Sequence, residues 1–206
     1  DIRDSISVEA CLVDNNIDIV VHLASSLKPN SSQECFQIEY SQIIFPSFNL
    51  ASICSKLDIL LVFMSSGGAI YGNGFHRHHH ESDALLPISY YGLSKCNLEE
   101  AIQFEHRRSG LRYLIIRPSN PYGMGQNLYG SQGLIAITLG NILKGRPISI
   151  WGDGEAIRDY IYVDDLCIYI SELLDRQVTN EIVNVGSGVG TSVNSIVKTI
   201  LDSVEV

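Results

Sequence analysis

Ser89-Tyr90-Tyr91-Gly92-Leu93-Ser94-Lys95 carries the residues with the clearest chemical potential. Tyr91 and Lys95 are four apart, so on a helix they share one face, one turn from each other. A tyrosine ordinarily ionises near pH 10. A neighbouring ammonium and a helix N-terminus both favour the phenolate. A tyrosine so placed can take the proton of a hydroxyl group whose carbon is losing hydride. By itself a Tyr-x-x-x-Lys spacing fits an exposed helix pair equally well. Its surroundings add weight, because it opens a helix after a loop holding Pro87, and a serine-glycine turn, Ser65-Ser66-Gly67-Gly68, lies upstream.

The elements that must position this pair follow an alternating rhythm. Asp18 to Ala24 is a short β-branched run ending in small residues, and Ile59 to Met64 is continuously apolar, as a strand covered on both faces requires. Between them a helix-length segment, about Ser31 to Lys56, should bend or break at Pro46. Helices are expected over 91–109, 133–144, 164–174 and 192–204, and strands over 111–117 and 182–185, with Gly110 and Gly145 at C-cap positions. Strands alternating with helices imply a parallel, helix-covered sheet, in which ligands sit beyond the carboxyl ends of the strands. The chemistry-bearing residues do follow the apolar runs.

Composition narrows the classes of function. With 206 residues and 45% hydrophobic content the chain can bury one good core, with room for a second small lobe. A net charge of -9 disfavours nucleic acid, which needs a basic face. No apolar run reaches the length of a membrane span. Five singly scattered cysteines (Cys11, Cys35, Cys54, Cys96, Cys167) suit a reducing compartment, the cytoplasm, better than a disulfide scaffold. The run Gly74-Phe75-His76-Arg77-His78-His79-His80-Glu81 has zinc-type ligands, but histidines crowded in one loop do not preset a tetrahedron. It reads as a variable surface loop, with no metal expected.

Several motifs in order carry a resemblance. They are Asp1-Ile2-Arg3-Asp4, His22-Leu23-Ala24-Ser25, Ser65-Ser66-Gly67-Gly68-Ala69-Ile70-Tyr71-Gly72, and Pro87-x-Ser-x-Tyr91-Gly92-x-Ser94-Lys95. Arg117-Pro118-Ser119-Asn120-Pro121-Tyr122-Gly123, Trp151-Gly152-Asp153-Gly154 through Asp165, and Asn184-Val185-Gly186-Ser187-Gly188 complete the series. This series resembles the extended short-chain dehydrogenases, and within them the UDP-sugar 4-epimerases of surface-polysaccharide pathways. The resemblance spans essentially the whole chain.

It implies an α/β fold with a Rossmann-like, doubly wound parallel sheet whose N-terminal strands are missing, and a small, partial substrate-binding lobe. Residues 1–122 would be an incomplete NAD-binding domain. Residues 123–206 would be the substrate lobe, interleaved with returning Rossmann elements at about 160–188. The glycine fingerprint that holds a dinucleotide pyrophosphate at a helix N-terminus is absent before His22, so the chain reads as a central fragment.

By the same resemblance Asp1 and Ile2 flank the adenine of NAD, and Leu23, Ala24 and Ser25 pass beneath the cofactor. Pro118 and Ser119 lie near the nicotinamide, whose positive oxidised form would further favour the Tyr91 phenolate. Lys95 bonds the nicotinamide ribose and lowers the pKa of Tyr91. Asn120 and Arg158 face the diphosphate of a nucleotide-sugar, where a guanidinium fork meets phosphate oxygens bidentately. An ion pair with Asp159 or Asp164 is the other role that fits Arg158. Tyr160 would reach the ribose, Gln132 a hydroxyl or phosphate, and Ser149, Ile150 and Trp151 the base; Trp151 fits a lobe-core aromatic equally. Many relatives have a hydroxyl where this chain has Gly67 and Ala69. Ser66 is the nearest remaining one, so proton transfer runs through Ser66 or directly to Tyr91. Gly67, Gly68 and Ala69 offer no acid for eliminating water, which argues against a 4,6-dehydratase. A related reductase or decarboxylase, and a non-catalytic nucleotide-sugar-binding protein, remain as alternatives. Relatives dimerise through a helix bundle that includes the Tyr-x-x-x-Lys helix, so a homodimer is expected.

Overall fold

The computed structural model describes residues 1–73 and 78–204. The elements in chain order are α1 (Ser5–Asp14), β1 (Ile19–His22), α2 (Gln33–Glu39), a π-helical turn (Tyr40–Ile44), α3 (Phe45–Lys56), β2 (Leu60–Met64), α4 (Gly67–Ile70) and α5 (Tyr90–Ser109). They continue with β3 (Tyr113–Pro118), β4 (Asn120–Tyr122), α6 (Leu134–Leu143), β5 (Ile157–Tyr162), α7 (Val163–Asp175), β6 (Glu181–Val185), β7 (Gly190–Ser192) and α8 (Val193–Ser203). Two compact units form. The first comprises Asp1–Arg117 with Leu174–Asn184, the second Pro118–Leu173 with the chain from Val185 onward.

In the first unit the strands run in the order β1-β2-β3-β6, and β1, β2 and β3 are parallel. The apolar run of β2 is buried on both faces, and β3 is buried along its whole length. Leu61, Phe63, Ile115, Leu98, Ile102, Ile44 and Ile53 meet in the core that joins this sheet to α3 and α5. The expected break near Pro46 falls slightly upstream. The helical segment passes through the π turn before Pro46 enters at the first turn of α3. Proline has no N–H to give the preceding turn, and one wider turn absorbs the lost register.

Helix α5 has well-marked ends. The Ser89 hydroxyl caps it by accepting the Gly92 N–H at 3.1 Å, and Gly110 ends it at φ +80°. His106, Arg107 and Arg108 sit in the last turn, where cations complement the helix dipole. Gly92 lets the helix approach α4 closely, since a Cβ there would lie 2.3 Å from the Ala69 carbonyl oxygen.

A buried ion pair joins α5 to β3. Arg117, 3% exposed, donates from Nη2 to Glu99 Oε2 at 2.6 Å and from Nε to Oε1 at 3.1 Å, and Glu99 is fully buried. Arg117 Nη1 also donates to Tyr71 Oη at 2.7 Å and to the Glu81 carbonyl at 3.0 Å. Tyr71 donates onward to Asn184 Oδ1 at 2.7 Å, which brings β6 into the network. Glu99 Oε1 takes a further short hydrogen bond from Ser65 Oγ at the end of β2.

The second unit has a three-stranded sheet, β4-β5-β7, with β4 parallel and β7 antiparallel to β5. The glycine-rich stretch after β6 therefore ends in a strand rather than remaining loop throughout, because Gly190 pairs with Asp159. Helix α1 was not foreseen from sequence. Its Asp4 cap accepts from Ser7 N at 3.1 Å, but its mixed face offers little periodic signal. No helix among the described residues is long and apolar enough to cross a membrane.

Removing one partner of the Arg117–Glu99 pair leaves a buried, uncompensated charge. Arg117→Met is expected to lower unfolding stability by about 3–5 kcal/mol, measured by urea titration. A loss below about 1 kcal/mol, the range of a surface pair, would contradict this reading of the network.

Candidate functional site

Tyr91, Lys95 and Ser66 come together in the first unit. Tyr91 and Lys95 stand on the first two turns of α5, and Ser66 precedes α4 with extended backbone, φ -158° and ψ 104°. The Ser66 hydroxyl is close enough to the Tyr91 phenol to favour its anion. The turn is fixed from behind, because Ser65 N donates to the Ile116 carbonyl at 2.8 Å and Ser65 Oγ donates to Glu99. Lys95 is 4% exposed and donates to the Met64 carbonyl at 2.8 Å. Its Nζ lies 5.0 Å from the Phe63 ring centroid and 5.7 Å from that of Tyr91.

The electrostatics are set mainly by burial. Desolvation pulls Lys95 down to about 8, while Glu39 and Glu99 act to hold its charge. Desolvation also pushes the Tyr91 phenol above its ordinary range; the Ser66 hydroxyl opposes this and Glu39 adds to it. The direction for Tyr91 is opposite to that expected from the ammonium and the helix N-terminus. In this enclosed place the cost of burying a phenolate is the largest influence.

The cofactor candidates are distributed as follows. His22 ends β1, 4% exposed, with Nε2 2.6 Å from Ser47 Oγ. Its Nδ1 accepts from Ala24 N at 3.2 Å, which assigns the proton to Nε2 and leaves the ring neutral. Leu23 is 65% exposed, Ala24 half-buried and Ser25 exposed at the carboxyl end of the strand. Ser25 and Ser26 turn back onto buried Glu39, a residue sequence reasoning passed over because one glutamate in a mixed helix carries no spacing signal. Asp1 is exposed and forms an ion pair with Arg3 at 2.5 Å, and Ile2 packs against the core.

The remaining candidates belong to the second unit. Pro118 is buried, and the buried Ser119 Oγ has no hydrogen-bond partner among the described residues. Asn120 Nδ2 is held by the Asp159 carbonyl at 2.8 Å. Arg158 is exposed, with Nη1 donating to the Ile157 carbonyl at 2.7 Å. Asp159, one of its two foreseen partners, instead accepts from Ser187 N at 2.9 Å, Ser187 Oγ at 3.0 Å and Gly188 N at 2.8 Å. Tyr160 is half-buried and lines a cavity of about 450 Å³ with Tyr122, Tyr162 and Tyr169. Gln132 and Ser149 are exposed. Trp151 is 92% exposed, so it is not a lobe-core aromatic. In the histidine run, residues 74–77 lie outside the described residues. His79 stacks on Tyr71 with centroids 4.5 Å apart, and His80 Nδ1 pairs with Ser82 Oγ at 3.0 Å.

Burial first, and the Lys95 charge second, lower His22 from 6.5 to about 4. The unfolded chain therefore binds a proton that the folded chain refuses between these values. Stability from this residue is complete above about pH 6.5 and is lost as pH falls towards 4, by about 3 kcal/mol in all. Urea midpoints at pH 7 and 4.5 check this: the native chain is expected to lose more stability than His22→Gln, and equal losses would contradict it.

The family model described as "NAD dependent epimerase/dehydratase family" matches residues 1–186. The dTDP-4-dehydro-6-deoxyglucose reductase of Escherichia coli is 36% identical over 191 residues, covering 90% of this chain and 59% of that one. The crystal structure of UDP-glucose 4-epimerase with UDP-glucose from Thermotoga maritima superposes with TM-score 0.88 at 34% identity, covering 98% of this chain and 65% of that one. The Thermus thermophilus UDP-glucose 4-epimerase complex with NAD gives TM-score 0.88 at 28% identity, covering 98% and 67%. This chain thus spans about two thirds of the length of the proteins it matches. Parallel sheet, serine turn, Tyr-x-x-x-Lys helix and motif order agree: the chain belongs to the NAD-dependent epimerase/dehydratase family.

Proposed function

We propose that the full-length protein interconverts the C4 epimers of a UDP-sugar in the cytoplasm, through a transient 4-keto sugar. The observation that carries this reading is Tyr91 and buried Lys95 on adjacent turns of α5, with the Ser66 hydroxyl beside the phenol. The residues present fit NAD. Lys95 spends one N–H on Met64 and keeps two donors for ribose hydroxyls, and the exposed end of β1 at Leu23 to Ser25 offers backbone on which a flat ligand can lie. Asp1 and Ile2 would serve the adenine end, and Pro118 the nicotinamide end. Bound NAD supplies the acceptor and donor of hydride.

The chain's own part is proton handling and grip. Tyr91 accepts the proton of the sugar C4 hydroxyl, through Ser66 or directly, and returns it after the keto sugar has turned. Lys95 holds a positive charge beside the phenol and so favours its anionic form during transfer. In the second unit Arg158 offers an exposed guanidinium for a diphosphate, and Asn120, Gln132, Ser149, Trp151 and Tyr160 supply polar and aromatic contacts for the nucleotide. Gly67, Gly68 and Ala69 bring no acid to the turn, which fits a reaction without loss of water. The likeness to the Escherichia coli reductase supports a second reading, in which a 4-keto sugar is reduced once and NADH is consumed.

We also propose a homodimer through α5 and its neighbours. Tyr40, Phe45, Phe48 and Phe104 are 37–57% exposed there, and three of them line a cavity of about 440 Å³.

The full-length protein incubated with UDP-galactose or UDP-N-acetylgalactosamine, followed by NMR, is expected to form the C4 epimer with no net change in NADH. Tyr91→Phe should lower the rate at least about 10²-fold and Ser66→Ala about tenfold or more. Keto-sugar reduction with NADH consumed would select the reductase, and no turnover with NAD bound would exclude both enzymes. Light scattering should give a dimer that Phe104→Glu converts to a monomer; an unchanged mass would contradict the proposed interface.

A further inference from the structure

Glu39 is 1% exposed and ends α2, immediately before the π turn. Its Oε1 accepts from Ser25 Oγ at 2.9 Å, and its Oε2 accepts from Ser26 N at 2.9 Å and Ser26 Oγ at 2.6 Å. One carboxylate thus ties down two consecutive residues of the loop leaving β1. The same loop is held at its start by His22, whose Nδ1 accepts from Ala24 N at 3.2 Å and whose Nε2 meets Ser47 Oγ. A carboxylate is expensive to bury unless it is bonded and faces opposite charge. A π turn inside a helix is a frequent mark of a functional position.

We propose that Glu39 is a positioning residue, whose carboxylate fixes the Ala24–Ser26 loop for the cofactor and provides the counter-charge to buried Lys95. This inference rests on the NAD-dependent reading above. The groups around Lys95 are His22 from β1, Glu39 from α2, the Met64 carbonyl from β2, and Tyr91 and Glu99 from α5. Glu99 is committed to Arg117 through two hydrogen-bonded arms, so its negative charge is already compensated. Among the described residues Glu39 is bonded only to neutral serine donors and the Ser26 N–H, and its negative charge supports that of Lys95 more than Glu99 does. The π turn explains how a helical segment can bring this side chain under the loop while α3 resumes its packing after Pro46. Glu39 touches no reacting atom; it acts through Lys95 and the loop.

The test is made on the full-length protein with isotopically labelled lysine, where the Lys95 signal is identified by its loss in Lys95→Arg. Glu39→Gln keeps the shape and removes the charge, and the Lys95 midpoint is expected to fall by about one pH unit. Glu39→Asp keeps the charge and should leave the midpoint nearer to the native value than Glu39→Gln does. An unchanged midpoint in Glu39→Gln, or an Asp variant that matches Gln, would overturn the proposal. If Glu39→Gln does not fold, Ser25→Ala decides: hydrogen exchange of the Ser26 amide should rise at least about tenfold as the carboxylate loses one of its two loop anchors, and unchanged protection would overturn it. Neither readout involves sugar turnover. Failure of the epimerase reading would therefore appear as missing epimer with these signals intact, and failure of the present inference as unmoved signals with epimer still formed.

Discussion

The Arg117–Glu99 pair is the constraint from which the placement of Ser66, Tyr91 and Lys95 follows. It lies where β3, α5 and the end of β2 meet, with Arg117 3% exposed and Glu99 fully buried. Burying two charges is costly, and such a pair persists when its remaining donors and acceptors are all used. Here Tyr71, the Glu81 carbonyl and Ser65 use them. Ser65 is next to Ser66, and Glu99 is one helical turn beyond Lys95. The same carboxylate therefore sets the serine turn and the tyrosine helix relative to each other.

Around this anchor, burial changes the character of Lys95, His22 and Tyr91. Lys95 is drawn down to about 8 and His22 to about 4, and the Tyr91 phenol is pushed up, all chiefly because water is excluded. The negative charges of Glu39 and Glu99 then hold Lys95 as an ammonium near neutral pH. A phenol that burial holds protonated can take up a hydroxyl proton only after losing its own, and the Lys95 ammonium beside it favours that loss.

Much of this was legible in the sequence where residue type and spacing act locally. The continuous apolar run of β2, the Gly110 stop and the Tyr91–Lys95 spacing each correspond to a local physical requirement, and each is met. Pro46 announced a break but not its form, since a π turn depends on what the flanking helices must pack against. Glu39 was not legible at all: its importance comes from two serines thirteen and fourteen residues earlier, joined to it only through the fold. The upward push of burial on the Tyr91 phenol was not legible for a related reason. Sequence shows which charges are near in the chain, whereas desolvation depends on everything packed above. In the second unit the motif order was readable, but Trp151 stands exposed and Asn120 is bonded to backbone, arrangements set by strand pairing rather than residue type.

The central claim is that hydride leaves and returns to one carbon while Tyr91 handles the proton. The most direct measurement uses a UDP-sugar deuterated at C4, turned over by the full-length protein in ordinary water and examined by NMR and mass spectrometry. The account expects the deuterium to remain at C4 in both epimers, with no exchange into solvent. Washout of the label to solvent, with epimer still formed, would mean that C4 is inverted by loss of a proton and would contradict it.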